Sequence, residues 1–253
     1  IRANYAALTT MCDEYFGKIL DFFDENNMWQ DTSLILTTDH GFLLGEHDWW
    51  SKNRMPVFDE ISRIPLMVYH PEFAEQSGTR RKSLTQSIDI MPTIMELHDH
   101  TIPEDVSGKS LIPLLAEDSP VRSTAMFGYF GAACNITDGT HVYHRYPENL
   151  SADGLYEYTL MPTRMTSRFP ISDLVGATLT DPFKFTKGAP VMKLKPRTNE
   201  EGNPVECQGM SFDNTKTQLY NLDTDPKQEN PITNPEIEAK LVAEMIHHMK
   251  CAD

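Results

Sequence analysis

Four cysteines in 253 residues, none of them in a Cys-x-x-Cys pair, offer no zinc-type ligand pair and are read most simply as unpaired. Cys12, Cys134, Cys207 and Cys251 are therefore expected to be reduced, buried thiols. No apolar run approaches the roughly 20 residues that a membrane span requires. Positive charge is scarce as well: 22 Lys and Arg stand against 37 Asp and Glu, a formal charge of −15. Nucleic acid and anionic membrane are recognised through a basic face that displaces counterions, so neither is expected as a partner. An anionic substrate would have to be captured locally, by a metal and a few cations, against an unfavourable overall field. Internal repeats and low-complexity tracts are also missing. What remains, 40% hydrophobic and 23% charged residues, is the composition of a globular protein able to bury a large core in one or two domains.

The order of elements follows from periodicity. Tyr5, Leu8, Cys12, Tyr15, Phe16, Ile19, Phe22 and Phe23 recur at steps of three and four, which predicts an amphipathic helix over 3–26 laid on a sheet. A short apolar strand over 33–38 follows, with the pattern of a strand buried on both faces of a parallel sheet. A second buried strand is expected over 64–69, then a helix over 89–98 whose Pro92 falls in the tolerant first turn. This is an α/β rhythm. Past residue 115 the pattern changes to short aromatic and β-branched segments over 125–130, 140–146 and 155–160, set between turns such as Thr137-Asp138-Gly139. These predict a smaller antiparallel sheet. Residues 161–215, rich in proline, read as an irregular excursion. A final helix opens with Asn234 as cap and Pro235 in its first turn, its buried face being Ile237, Leu241 and Met245.

The chemistry concentrates in Thr37-Thr38-Asp39-His40-Gly41-Phe42-Leu43-Leu44-Gly45-Glu46-His47-Asp48-Trp49-Trp50-Ser51-Lys52. Carboxylate, imidazole and ammonium groups are packed into one loop after an apolar strand, where open α/β sheets bind their ligands. Gly41 and Gly45 would permit the turns that bring Lys52 back toward Asp39 and His40. Taken singly, Asp39 is a turn-capping residue, His40 a hydrogen-bonded loop histidine and Lys52 a solvated surface lysine. Trp49 and Trp50 could wall a sugar or aryl ring, although one of them is expected in the core. His98-Asp99-His100 and His247-His248 sit at helix ends and read as solvated termini. Arg80-Arg81-Lys82 reads as a solvated loop. Asn135-Ile136-Thr137 and Asn149-Leu150-Ser151 fit a glycosylation sequon that arises often by chance.

This arrangement resembles the sulfatase branch of the alkaline phosphatase superfamily, whose motif runs Thr-Ser-Asp-His/Asn-Gly, then Leu-Gly-Glu-His, then a Lys at the same spacing. Iduronate-2-sulfatase-like and phosphonate monoester hydrolase-like members are similar in motif. Asp89-Ile90-Met91-Pro92-Thr93 resembles the family's Asp-x-x-Pro-Thr helix, and Gln218-Leu219-Tyr220-Asn221-Leu222-Asp223-Thr224-Asp225-Pro226 its Glu-Leu-Tyr-Asp-Leu-x-x-Asp-Pro turn. The resemblance covers roughly residues 5–115 and 215–250. It implies part of an alkaline-phosphatase-like mixed sheet flanked by helices over 1–115, and a smaller α+β subdomain with an antiparallel sheet and a terminal helix over 116–253.

The resemblance also implies roles. Asp39 and His40 become ligands of a divalent metal, calcium first and manganese second, with Lys52 beside the leaving oxygen of a sulfate ester. His47 either touches the leaving group or orients Asp39 from behind. Tyr143, His144, Arg145, Tyr156 and Arg164 become candidates for the substrate mouth. The family's Asp-Asp metal pair and its Cys/Ser-x-Pro-Ser-Arg segment, source of the formylglycine nucleophile, are not in these residues. The chain is therefore expected to be the carboxyl-terminal portion of a larger enzyme, inactive alone, whose partners are a sulfated small molecule or carbohydrate and its own amino-terminal portion. The lack of a leader sequence then carries no information. Phosphonate monoester or phosphodiester hydrolysis is the rival chemistry, since this half-site does not distinguish sulfur from phosphorus. A noncatalytic fragment or paralogue is the rival outside catalysis.

Overall fold

The long helix forms, but its apolar face stays in solvent. Helix α1 (Arg2–Glu25) exposes Tyr5, Leu8, Tyr15, Ile19 and Phe22, with Leu8 57% and Tyr15 59% accessible. Phe16 and Leu20 are half-buried, and contacts are clearest toward the two ends. Phe23 is buried against Trp29, which meets Tyr69 edge-on, both at ring separations of 4.8 Å. Near the other end Tyr5 packs on Phe42 at 5.6 Å. The expectation that this stripe lies on a sheet is not met among the described residues.

The computed structural model describes residues 1–52, 56–128, 133–146, 156–161, 163, 167–195 and 216–252. They fall into two compact units, one made of Ile1–Asn53, Val57–Ile102 and Gly108–Ala125, the other of Arg54–Pro56, Pro103–Ser107 and Met126–Asp253. None of the described helices is long and apolar enough to cross a membrane.

In the first unit, strand β1 (Leu34–Thr37) leads into the short hairpin β2 (Leu43–Leu44) and β3 (Trp50–Ser51). A single helical turn, α2 (Asp59–Ser62), precedes β4 (Leu66–Tyr69). β4 pairs with β1 antiparallel, Leu34 opposite Tyr69 and Thr37 opposite Leu66. This corrects the expectation of a parallel strand covered on both faces, because all four β1 residues are only half-buried. A short apolar run shows that both faces of a strand are apolar. It does not show the direction of its neighbour.

Helix α3 (Ile90–Leu97) and helix α4 (Ile112–Glu117) are joined by a polar knot that the sequence signalled only through the Asp-x-x-Pro-Thr pattern. Asp89 is fully buried and forms a bidentate pair with Arg122, Nη2 donating to Oδ1 at 2.5 Å and Nη1 to Oδ2. The same carboxylate accepts from the backbone N–H of Gln86 at 2.7 Å and of Lys109 at 2.8 Å. Thr93 extends the knot, donating to the Asp89 carbonyl and accepting from the Leu111 N–H. A buried charge is tolerable only when so satisfied. Arg81 is not merely solvated, since its guanidinium donates to the Leu115 carbonyl at 2.7 Å.

The second unit holds two antiparallel sheets. Strands β5 (Ala125–Gly128), β6 (Cys134–Thr137) and β7 (His141–Arg145) join the later β11 (Gln218–Asn221) in the order β11-β7-β6-β5. Strands β8 (Glu157–Thr159), β9 (Thr178–Thr180) and β10 (Val191–Leu194) form the other, ordered β8-β10-β9. A helical turn, α5 (Ile171–Leu174), precedes β9. The terminal helix α6 (Pro235–Ala252) is capped by Asn234, whose side chain accepts from the Ile237 N–H at 3.2 Å. Its Leu241 and Met245 pack on Ile136, Tyr143 and Leu219 to make the core of this unit. Strands β9 and β10 lie inside the stretch expected to be irregular. Pro182 and Pro190 flank the loop between β9 and β10 and so interrupt neither strand.

Candidate active site

The hairpin explains how Lys52 returns. Leu43 is fully buried and pairs with Ser51, while Leu44 pairs with Trp50. Between them the backbone is left-handed at Gly45 (φ 110°), His47 (φ 54°) and Asp48 (φ 60°), and again at Ser51 (φ 88°). Glu46 closes the turn by accepting from the Leu44 N–H at 2.5 Å, and this bond, with that of its own N–H, holds its carboxyl below the usual glutamate range. Arg2 fastens the hairpin from α1, donating to the Leu44 carbonyl at 2.7 Å and stacking over Trp50 at 5.5 Å. No pattern in the sequence marks this tether. Neither tryptophan is core: Trp50 is 46% exposed and Trp49 half-buried.

Gly45 supplies the turn as expected. Gly41 is needed for a different reason, because a Cβ there would lie 1.8 Å from the Glu60 carbonyl oxygen. Its N–H donates to the Ile61 carbonyl at 2.9 Å, so this loop is seated directly on α2. Close approach, not backbone freedom, excludes a side chain at this position.

Asp39, His40 and Lys52 come together at the carboxyl end of β1. The Lys52 ammonium lies 2.5 Å from His40 Nε2, and Asp39 Oδ2 lies 3.1 Å from the same nitrogen. His40 Nδ1 faces the Gly41 carbonyl at 2.9 Å. A carbonyl only accepts, so Nδ1 carries the hydrogen and Nε2 presents a lone pair. Desolvation would raise the Asp39 carboxyl, but the His40 N–H at 3.0 Å, the imidazole and the Lys52 ammonium outweigh it and hold the group below its ordinary value. Two electron-pair donors facing each other at this distance call for a cation, and Lys52 serves as one.

His47 is turned elsewhere. Its ring stacks on Phe58 at 3.6 Å and 7° between planes, and its Nε2 lies 3.4 Å from Glu60 Oε2. Beside this pair, burial raises the Asp59 carboxyl, Arg63 opposing and Glu60 adding to the effect. Glu60 is a neighbour of the site that sequence reasoning missed. Its signal was present only as an acidic residue before the Arg63-Ile64-Pro65 stretch.

Other candidates are placed less favourably. Tyr143 and His144 are 1% and 0% exposed, core residues rather than lining of a substrate mouth, because β7 is central to its sheet. Arg145 is exposed and donates to the Tyr143 hydroxyl at 3.1 Å. Tyr156 is 38% exposed, and Arg164 lies outside the described residues. Asn135 is fully buried, so its sequon is inaccessible in the folded chain, while Asn149 lies outside the described residues. Cys12 and Cys251 are exposed free thiols and Cys134 is half-buried, against the expectation of burial. Cys207 lies outside the described residues.

The fold is mixed α/β of the alkaline-phosphatase type, shared with a solved protein bound to its substrate D-glucosamine-2-N,6-O-disulfate. That likeness has a TM-score of 0.52 and 18% identity, over 94% of this chain and 37% of that one. Residues 45–145 match the family described as N-sulphoglucosamine sulphohydrolase, C-terminal. The multifunctional alkaline phosphatase superfamily protein PehA of Trinickia caryophylli is 37% identical over 120 residues, 47% of this chain and 23% of that protein. The N-acetylglucosamine-6-O-sulfatase of Bacteroides thetaiotaomicron is 29% identical over 131 residues, 50% of this chain and again 23% of the relative. Residues 45–145 are thus similar to the carboxyl-terminal region of sulfatases of the alkaline phosphatase superfamily. The chain spans about a quarter of the length of these two curated relatives.

Proposed function

We propose that this chain contributes half of the active site of a metal-dependent sulfuric ester hydrolase acting on a sulfated carbohydrate. The observation that carries the reading is the meeting of Asp39 Oδ2, His40 Nε2 and the Lys52 ammonium. An anionic oxygen and an imidazole lone pair on one side fit two positions of a divalent cation, calcium or manganese. Among the described residues no group of three or more His, Cys, Asp or Glu could hold the ion by itself. When bound, such a cation polarises the oxygens of a sulfate ester. Asp39 supplies charge to the site, and the Gly41 carbonyl fixes the His40 tautomer. His40 Nε2 would hold the cation in place of Lys52, whose ammonium would then be free to meet the departing oxygen. His47, held by Phe58 and Glu60, would act on the leaving group or support the loop.

The remaining ligands and the formylglycine would come from a portion on the amino-terminal side. Two observations support such a partner: the two-donor site, and the apolar stripe of α1 that the described residues leave in solvent. Calorimetric titration of calcium and of manganese into a protein containing both portions tests the metal half. Binding should weaken at least tenfold in Asp39→Asn. Unchanged affinity would remove Asp39 from the site.

A second reading, phosphonate monoester or phosphodiester hydrolysis on the same scaffold, is kept open by the 37% identity to a relative described as a multifunctional alkaline phosphatase superfamily protein. An aryl sulfate compared with an aryl phosphonate on the same enzyme preparation decides between them.

A further inference from the structure

The three-stranded sheet of the second unit presents an aromatic and cationic face that includes Tyr156. In Tyr156-Glu157-Tyr158 the alternation of a strand puts both tyrosines on one side. Lys193 lies directly opposite Tyr158 across β8 and β10, and Thr178 lies opposite Lys193 across β9. The Lys193 ammonium sits 3.7 Å from the Tyr156 ring centre and 5.9 Å from that of Tyr158. Phe183 meets Tyr158 edge-on at 5.4 Å and continues into Phe185 at 5.6 Å, the two rings 13° from parallel. These rings are not core: Tyr156 is 38%, Tyr158 39% and Phe185 56% exposed. Among the described residues no carboxylate lies within ion-pair distance of Lys193.

We propose that this face is a binding platform for a sulfated saccharide. The inference rests on the sulfatase reading for its choice of ligand. A pyranose ring has an apolar C–H face that packs on exposed aromatic rings, and a sulfate group accepts from an ammonium through a charge-assisted bond. Lys193, held over a ring by cation–π attraction, is presented rather than free to wander, which lowers the entropic cost of using it. Charge complementarity singles out an anionic ligand. Residues 156–195 contain six Lys or Arg against three Asp or Glu, a net of +3 in a chain whose total is −15. Thr178, exposed beside Lys193, adds a hydroxyl to the same face.

The test is equilibrium binding to the 253-residue chain, by isothermal titration calorimetry, of a sulfated glucosamine oligosaccharide and of the same oligosaccharide after chemical desulfation. The sulfated form should bind at least roughly tenfold more tightly, the size of one charge-assisted contact. Lys193→Gln should abolish that preference without weakening the desulfated ligand. Tyr156→Ala with Tyr158→Ala should weaken both ligands roughly tenfold. Should this double variant fail to fold by circular dichroism, Tyr158→Phe, which keeps the ring, must retain binding while Lys193→Gln loses the preference. Lys240→Gln, on α6 and outside this sheet, should change nothing. Equal binding of the two saccharides, binding of neither, an unaltered preference in Lys193→Gln, or the same loss in Lys240→Gln would each overturn the platform. Hydrolysis of an aryl sulfate, which carries no saccharide, reads the sulfatase chemistry separately.

Discussion

At the scale of single residues, the roles of Asp39 and Lys52 should separate experimentally. In a protein containing both portions, Asp39→Asn should lower metal content, because it removes the anionic donor. Lys52→Ala should reduce kcat roughly 10²- to 10³-fold with metal content little changed, as for a group that offsets charge developing in the transition state. Metal analysis beside steady-state kinetics checks both. Gly41→Ala is expected to destabilise the first unit by about 1–3 kcal/mol, since its Cβ would strike the Glu60 carbonyl and the loop must shift. Thermal unfolding reads the loss. The candidate site was legible here because strand, Asp-His-Gly and the spaced lysine form one continuous segment. The parts that stayed hidden, Glu60 against His47 and Arg2 over Trp50, are contacts between segments 13 and 48 residues apart in the sequence, which carry no local pattern.

At the scale of elements, the Asp89–Arg122 knot joins the start of α3 to the chain beyond α4. Arg122→Leu leaves a fully buried carboxylate without its cation and should cost roughly 3–5 kcal/mol, measured by urea unfolding. The loss should exceed that of Arg63→Leu, because the Arg63 guanidinium is exposed and lies 3.9 Å from its partner Asp59. In β11 the Tyr220 hydroxyl donates to Gln218 at 2.9 Å, and burial, aided by the Asp225 charge, pushes its pKa up to about 12 from 10.0. The folded chain keeps this proton where the unfolded chain has lost it. The stabilisation is therefore complete below about pH 10 and declines as pH rises through about 12. Denaturation midpoints across that window should fall less steeply in Tyr220→Phe. The terminal helix and β7 were readable from capping and alternation. Strands β9 and β10 were not, because each is short and the surrounding prolines dominate the composition of that stretch.

At the scale of the whole molecule, sequence pattern and packing disagree most on α1, and the disagreement is informative. Its period predicts burial, yet Leu8, Tyr15, Ile19 and Phe22 are each about half exposed or more. β1 repeats the theme, with an apolar run covered only in part. Both are accounted for if the amino-terminal portion packs there, and a protein containing it should lower the binding of a hydrophobic dye seen with the 253-residue chain alone.

The most direct test of the central claim is hydrolysis of an aryl sulfate, with calcium or manganese supplied, by the 253-residue chain and by a protein that also contains the amino-terminal portion. No turnover is predicted for the chain alone. Turnover is predicted for the longer protein, lost in Asp39→Asn together with the metal and in Lys52→Ala without loss of the metal. Turnover by the isolated chain that survives removal of contaminating enzyme, or equal loss of metal in both variants, would contradict the half-site that Asp39, His40 and Lys52 are proposed to form.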